Sequence, residues 1–496
     1  MGGGVMQLVA IGAQDVFISG SPEMSYFKMV YKRHTNFSME SVRQTFSTKP
    51  TLDTKGNTFS CRITRVADLL QDVFLSVILP NIYSNDRLRF KWVENISNYM
   101  IYSYTLKIDT QTIDIVWGEW MDIWNELTLT ADKKDGYNRM TGNVEEFMRP
   151  KSSEPRVNYN NNTITYFSYP TAGTTADKPS IAARRLYIPV PFWFTKNPGL
   201  ALPLIALQYQ NIDLVIEVRN IEELYHIYDA QTNLYYSPNQ YRQIIAGRTS
   251  PLSTLNAVND GIVQLINSDR VITTRVVNND DVSIQRFLVP IDTSYANVSS
   301  SVDIDAYVEC NYIFLDEAER KSVASQSHDF LVERVYRIDK EGITTQGMID
   351  LVIQNPIKEI IWVARRSDAK LYNSWNNFTN SLRNEGNSNI LSTAKLLWNG
   401  MERFEEKPYV FFNMIQPFRY HTRCPRDGIC VYSFALYPEK SQPSGSFNAS
   451  IINKIQMYVT TNPPTDSSYS YEFIFYVSYY NVFRVMSGMG ALVFAN

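Results

Sequence analysis

The chain has 496 residues and a formal net charge of −3, with 47 Lys and Arg against 50 Asp and Glu. This length exceeds what one hydrophobic core usually serves, so two large units are expected, and 44% hydrophobic with 20% charged residues excludes a disordered chain. The charge balance lacks the basic field that meets phosphates, so direct nucleic-acid binding is not expected.

The opening MGGGVM resembles a myristoylation signal, but Met6 stands where Ser or Thr is required. Lys28 is the first basic residue and Gln7 interrupts the early apolar stretch, so a secretory signal is not expected. Residues 1–27 are taken as an N-terminal arm, uncharged from Met1 to Gln14. In WGEWMDIWNEL, Trp117, Trp120, Met121, Trp124 and Leu127 recur at spacings of three and four, which predicts a helix with an aromatic stripe.

Residues 132–180 are polar and too long for a hairpin turn. Next, PFWFTKNPGLALPLIALQYQ (191–210) is nearly uncharged, yet Lys196, Asn197, Pro198 and Pro203 break it well short of a membrane span. Asn197, Pro198 and Gly199 have turn chemistry, and Pro203, lacking an N–H, marks a strand start or edge.

In QNIDLVIEVRN, Ile212, Leu214, Ile216 and Val218 alternate with Asp213 and Glu217, the period of a half-buried strand. Residues 227–260 form a second polar stretch, and the domain change is placed around residue 225, giving units 28–225 and 226–496. SVDIDAYVECNYIFLD predicts a strand with Val302, Ile304, Ala306, Val308, Cys310, Tyr312 and Phe314 on one face. LDEAERKSVAS, with Asp316, Glu317 and Glu319 ahead of Arg320 and Lys321, predicts a short helix. A third polar stretch spans 364–408. YEFIFYVSYYNVFRVM reads as a strand covered on both faces. Many strands with isolated helices point to an all-β chain.

Catalytic and metal motifs are absent. His34, His226, His328 and His421 form no ligand pair, and the spacing of Cys424 and Cys430 fits no usual zinc site. GGGV opens no helix, SGMGAL has no room for a βαβ unit, and neither a P-loop nor a GxSxG elbow occurs. No enzyme activity, cofactor or metal is therefore expected. Asn36, Asn95, Asn161, Asn297, Asn377 and Asn448 head glycosylation sequons, a number that chance alone supplies; Asn161 and Asn377 lie in predicted loops and are the better candidates. Aromatics at 13% favour cores and subunit contacts.

Several long stretches resemble the major capsid proteins of nucleocytoplasmic large DNA viruses, the group of iridoviruses, phycodnaviruses, mimiviruses and marseilleviruses. In family order they are LVAIGAQDVFISGSPEMSYFKMVYKRHTNFSMES, GEWMDIWNEL, LYIPVPFWFTKNPGLALPLIALQYQNIDL, NYIFLDEAERKSVASQSHDFLVE, NPIKEIIWVARR, VYSFALYPEKSQPSGSFNAS and YNVFRVMSGMGALVFAN. The resemblance implies a double jelly roll, two consecutive eight-stranded β-sandwiches with a few short helices in loops. It also implies homotrimeric, pseudo-hexagonal capsomers tiling the icosahedral shell of a virion assembled in the host cytoplasm. Its implied partners are other copies of the chain, minor capsid and penton proteins and, through the N-terminal arm, the internal membrane side. The stretch 191–210 then joins late strands of the first jelly roll, and the polar stretches 132–180 and 364–408 face outward. The alternative is a sugar- or receptor-binding β-sandwich of the same fold, with loop aromatics Trp375 and Tyr372 stacking on glycans.

Overall fold

The computed structural model of the protein describes residues 2–84, 88–148, 156–160, 163–167, 179–229, 234–247, 262–267, 270–275, 282–289, 298–381, 389–465 and 468–494. Eight principal strands build a first sandwich: β1 (Phe37–Gln44), β2 (Asn57–Arg62), β3 (Leu69–Leu79), β4 (Ile101–Ile108), β5 (Gln111–Trp117), β6 (Arg184–Pro189), β7 (Ile212–Val218) and β8 (Ala306–Leu315). They pair antiparallel in two sheets ordered β1-β8-β3-β6 and β2-β7-β4-β5. The helix α1 (Gly118–Thr128) follows β5, and α2 (Glu317–Ser325) follows β8.

A second set of eight repeats the plan: β9 (His328–Ile343), β10 (Gln346–Asp350), β11 (Pro356–Arg366), β12 (Leu391–Trp398), β13 (Met401–Glu402), β14 (Ile429–Ser433), β15 (Ile455–Thr461) and β16 (Tyr471–Met486). Their order is β9-β16-β11-β14 and β10-β15-β12-β13, the first pattern with eight added to each index. In each set the first strand pairs with the last, which closes a jelly roll.

Alternating burial explains why these segments become strands. Ile212, Leu214, Ile216 and Val218 turn inward from β7 and share a core with Leu75, Val77, Val308 and Cys310 from the opposite sheet. In the second sandwich Trp362, Phe475 and Val477 face Leu396, Met457 and Val459. β16 is buried on both faces from Tyr471 to Asn481, as its unbroken apolar run predicts. The two predicted helices form, and Asp316 caps α2 by accepting from the Glu319 N–H.

Three boundaries differ from the sequence reading. The first sandwich does not end near residue 225: β8 returns to lie between β1 and β3, so the change of sandwich falls at α2. The stretch 364–408 is no single loop; it contains β12, whose alternation is disrupted by a bulge between Leu391 and Thr393. SVDIDAYVECNYIFLD also divides, into Val302–Asp303 beside Thr51–Leu52 and then β8. The arm is followed by exposed residues 28–36 before the first strand begins at Phe37.

The segment 191–210 joins β6 to β7. Phe192, Trp193 and Phe194 are buried, and Asn197 Oδ1 accepts from the Gly199 N–H at 2.9 Å ahead of a 3₁₀ turn. Leu202 and Pro203 form a two-residue strand beside Leu70 and Leu69 of β3. Trp193 also meets Phe483 of β16, ring centroids 5.6 Å apart, so it packs across the boundary between the sandwiches. Trp193→Ala is expected to cost about 3–5 kcal/mol through the cavity it leaves. Thermal denaturation checks this; an unchanged midpoint would contradict the packing assigned to Trp193.

Candidate functional site

The second sandwich does not hang from a linker; α1 of the first sandwich is inserted against its β9-β16-β11-β14 sheet. The helix begins directly at the end of β5, over the backbone of residues 98–101. A Cβ on Gly118 would sit 2.0 Å from the Asn98 carbonyl oxygen and 2.1 Å from that of Ile101, so only glycine permits this approach. The predicted aromatic stripe faces the second sandwich: Trp120 stacks on Trp124 at 5.4 Å and packs against Tyr476 of β16 at 5.3 Å.

Charge is buried beneath the stripe. Glu119, 2% exposed, accepts from Arg365 Nη1 at 3.2 Å and from the Tyr476 hydroxyl at 3.0 Å, while Arg365 Nε donates to Glu472 at 2.9 Å. Burial alone would lower the Arg365 pKa, but the Glu119 and Glu472 carboxylates outweigh it and raise the pKa. Asp122, one turn along, accepts from Tyr99 at 2.8 Å and Asn95 at 2.7 Å within the first sandwich, and pairs with Arg426 of the second. The Arg423 N–H donates to the Leu127 carbonyl at 3.0 Å, so backbone as well as side chain crosses the boundary.

A second cluster lies on the other side of Trp124, whose ring has Lys196 Nζ at 5.4 Å and Lys358 Nζ at 5.7 Å from its centroid. Both ammonium groups reach Glu333, at 2.8 and 3.0 Å. His421 lies between two carboxylates, Nε2 3.1 Å from Glu359 and Nδ1 3.1 Å from Glu439. Across the same boundary Asp114 of β5 lies 3.7 Å from Arg334 of β9; burial pushes the Asp114 carboxyl up to about 7 against the pull of Arg334 and Lys196.

The segment 367–381 of the second sandwich supplies a further contact by lying on residues 222–226 and Ser237 of the first, where the Ser237 hydroxyl donates to the Leu371 carbonyl. Asn373 Nδ2 donates to the carbonyls of Glu222 (2.7 Å) and Tyr225 (3.0 Å), and Asn376 Nδ2 donates to Glu94 at 2.7 Å. Trp375 Nε1 donates to the Glu223 carbonyl at 2.8 Å, and the ring lies under Arg219 at 4.1 Å.

Several residues singled out in the sequence fall differently from their expected positions. Trp375 is buried at the boundary, so it cannot be the exposed glycan platform, and Tyr372 beside it is half-buried. Asn377 is also buried: its Nδ2 donates to the Ser381 carbonyl at 2.5 Å, and its Oδ1 accepts from Thr379. Asn161 lies outside the described residues. The histidines stay apart: His34 is exposed in the arm, while His226 is half-buried and held neutral, loss of solvent pushing it down to about 4. Cys430 is buried and Cys424 exposed, both with free thiols. The charge clusters escape the sequence reading, although their signal is present: Glu119 and Asp122 interrupt an aromatic stripe, and Lys358, Glu359 and Arg365 interrupt an apolar strand.

Burial opposes the charged form of His421, but Glu359 and Glu439 outweigh it and raise the pKa from 6.5 to about 9. The protonated ring therefore stabilises the fold fully below pH 6.5, and this contribution is lost as pH rises through about 9. The native melting temperature is expected to fall across that interval, and His421→Gln is expected to remove most of this slope. Parallel melting curves for the two proteins from about pH 6 to about pH 10 would contradict the assignment.

Similarity to known proteins runs along the whole chain. A family described as "Major capsid protein N-terminus" matches residues 25–256, and "Large eukaryotic DNA virus major capsid protein" matches residues 319–491. The major capsid protein of Pyramimonas orientalis virus is 31% identical, and that of Phaeocystis pouchetii virus 29%, each over the whole of both chains. Among solved structures, the PBCV-1 capsid quasi-atomic model has a TM-score of 0.63 at 23% identity, covering 95% of this chain and all of that one. The Faustovirus major capsid protein has a TM-score of 0.64 at 12% identity, covering 95% and 94%. With paired jelly rolls of one strand order and full-length similarity to such relatives, the chain belongs to the major capsid protein family of large eukaryotic DNA viruses.

Proposed function

We propose that the chain forms homotrimeric, pseudo-hexagonal capsomers that tile an icosahedral shell, and that it does so as a structural protein without catalytic activity. The observation that carries this reading is the repeated strand order in two sandwiches locked side by side. Three such chains present six similar sandwiches, and heterologous contacts between them close into a ring. The exposed arm, with Phe17, Ile18, Tyr26 and Phe27 open to solvent, supplies apolar surface for minor capsid proteins or the internal membrane side. Penton proteins complete the shell, which assembles in the host cytoplasm.

Light scattering on the purified protein, with negative-stain images of the same fraction, tests the capsomer. A particle of three chains with a hexagonal outline is expected. A monomer that persists at high concentration would contradict it.

A further inference from the structure

The repeat makes the two sandwiches comparable residue by residue. β3 and β11 are both 11 residues long, and aligning them end to end superposes Val73, Leu75 and Val77 on Ile360, Trp362 and Ala364, all facing their own cores. Their outward residues then correspond too. Phe74, opposite Glu309, which is opposite Arg43, matches Ile361, opposite Tyr476, which is opposite Arg337.

In the second sandwich this outward face is covered by α1, and Ile361, Val363, Ile474 and Tyr476 have no exposure. In the first sandwich no described helix covers the same face: Met39 and Arg43 are exposed, Tyr187 is at the margin of exposure, and Phe74 and Ile78 are half-buried, while Ser76 and Tyr307 at its centre are buried beneath Arg43 and Arg185.

The covering element has a counterpart as well. α1 follows β5 directly; after β13 comes first a two-residue strand, Lys407–Pro408, also paired with β12, and then a helical segment, a π-helical turn (Phe411–Ile415) running into an α-helix (Gln416–Tyr420). Where α1 buries its aromatic stripe, this segment leaves an apolar face in solvent: Val410, Met414 and Phe418 at spacings of four, with Ile415 beside them and Phe418 81% exposed. Met414, Ile415 and Phe418 line an open groove with Cys424 and Pro425. The edge strands differ in the same way. β5 meets β9 through Asp114 and Arg334, whereas Met401 of β13 and Met39 of β1 are both exposed.

We propose that the helical segment Phe411–Tyr420 of one chain docks on the outward face of the β1-β8-β3-β6 sheet of a second copy, as α1 docks on the equivalent sheet of its own chain. The proposal rests on the trimer reading and names the contact that closes it. Sandwich one holds sandwich two within a chain, sandwich two holds sandwich one of the next chain, and three repeats complete the ring.

Phe418→Glu tests the contact, because so exposed a side chain is not needed for the fold of a single chain. The variant is expected to keep its circular dichroism spectrum and to associate at least about tenfold more weakly by light scattering. As a second measurement, a photo-crosslinking amino acid at position 418 is expected to give intermolecular adducts on β1, β3, β6 or β8, mapped by mass spectrometry. A native trimer that survives Phe418→Glu, with adducts elsewhere, would overturn the docking and leave the trimer standing. A native chain that stays monomeric would overturn both.

Discussion

The arrangement of the two sandwiches depends on charge buried between them. Glu119 has left water, and its carboxylate is compensated by groups of the other sandwich, Arg365 and Tyr476. Arg365 in turn needs both Glu119 and Glu472. A buried ion pair of this kind contributes little net stability compared with apolar packing, but separating its partners is costly because each is left unpaired. The cluster therefore selects one relative placement of the sandwiches. Trp120 and Trp124 supply apolar burial around it and exclude water from the pair.

This explains features of the second sandwich that its own core does not require. β16 and β11 are buried on both faces because one face packs inside the sandwich and the other lies beneath α1 and its neighbours. A shell-forming protein gains from this arrangement. In the proposed trimeric capsomer, near-sixfold contacts from three chains would require that the two sandwiches of each chain keep a fixed angle, and a hinge between them would spread the ring closure over many geometries.

Much of the fold was legible as local pattern. Alternation located β7, the unbroken apolar run located β16, and spacings of three and four located α1. The domain boundary was not legible, because β8 pairs with β1 across a long span of chain and nothing near residue 225 announces that return. β12 was hidden by its bulge, although Asn399 and Gly400, both with positive φ, carried the signal of the hairpin that follows it. For the site, the stripe of α1 was visible but its partner was not. Trp375 shows the same limit: a tryptophan in a polar stretch carries no sign of whether another domain covers it.

That buried charge fixes the two sandwiches as one unit is tested most directly by calorimetric unfolding of the native chain and of Glu119→Ala. One cooperative transition is predicted for the native chain, with calorimetric and van't Hoff enthalpies in agreement, and two separated transitions for the variant. Two independent transitions in the native chain, unchanged by the substitution, would contradict it.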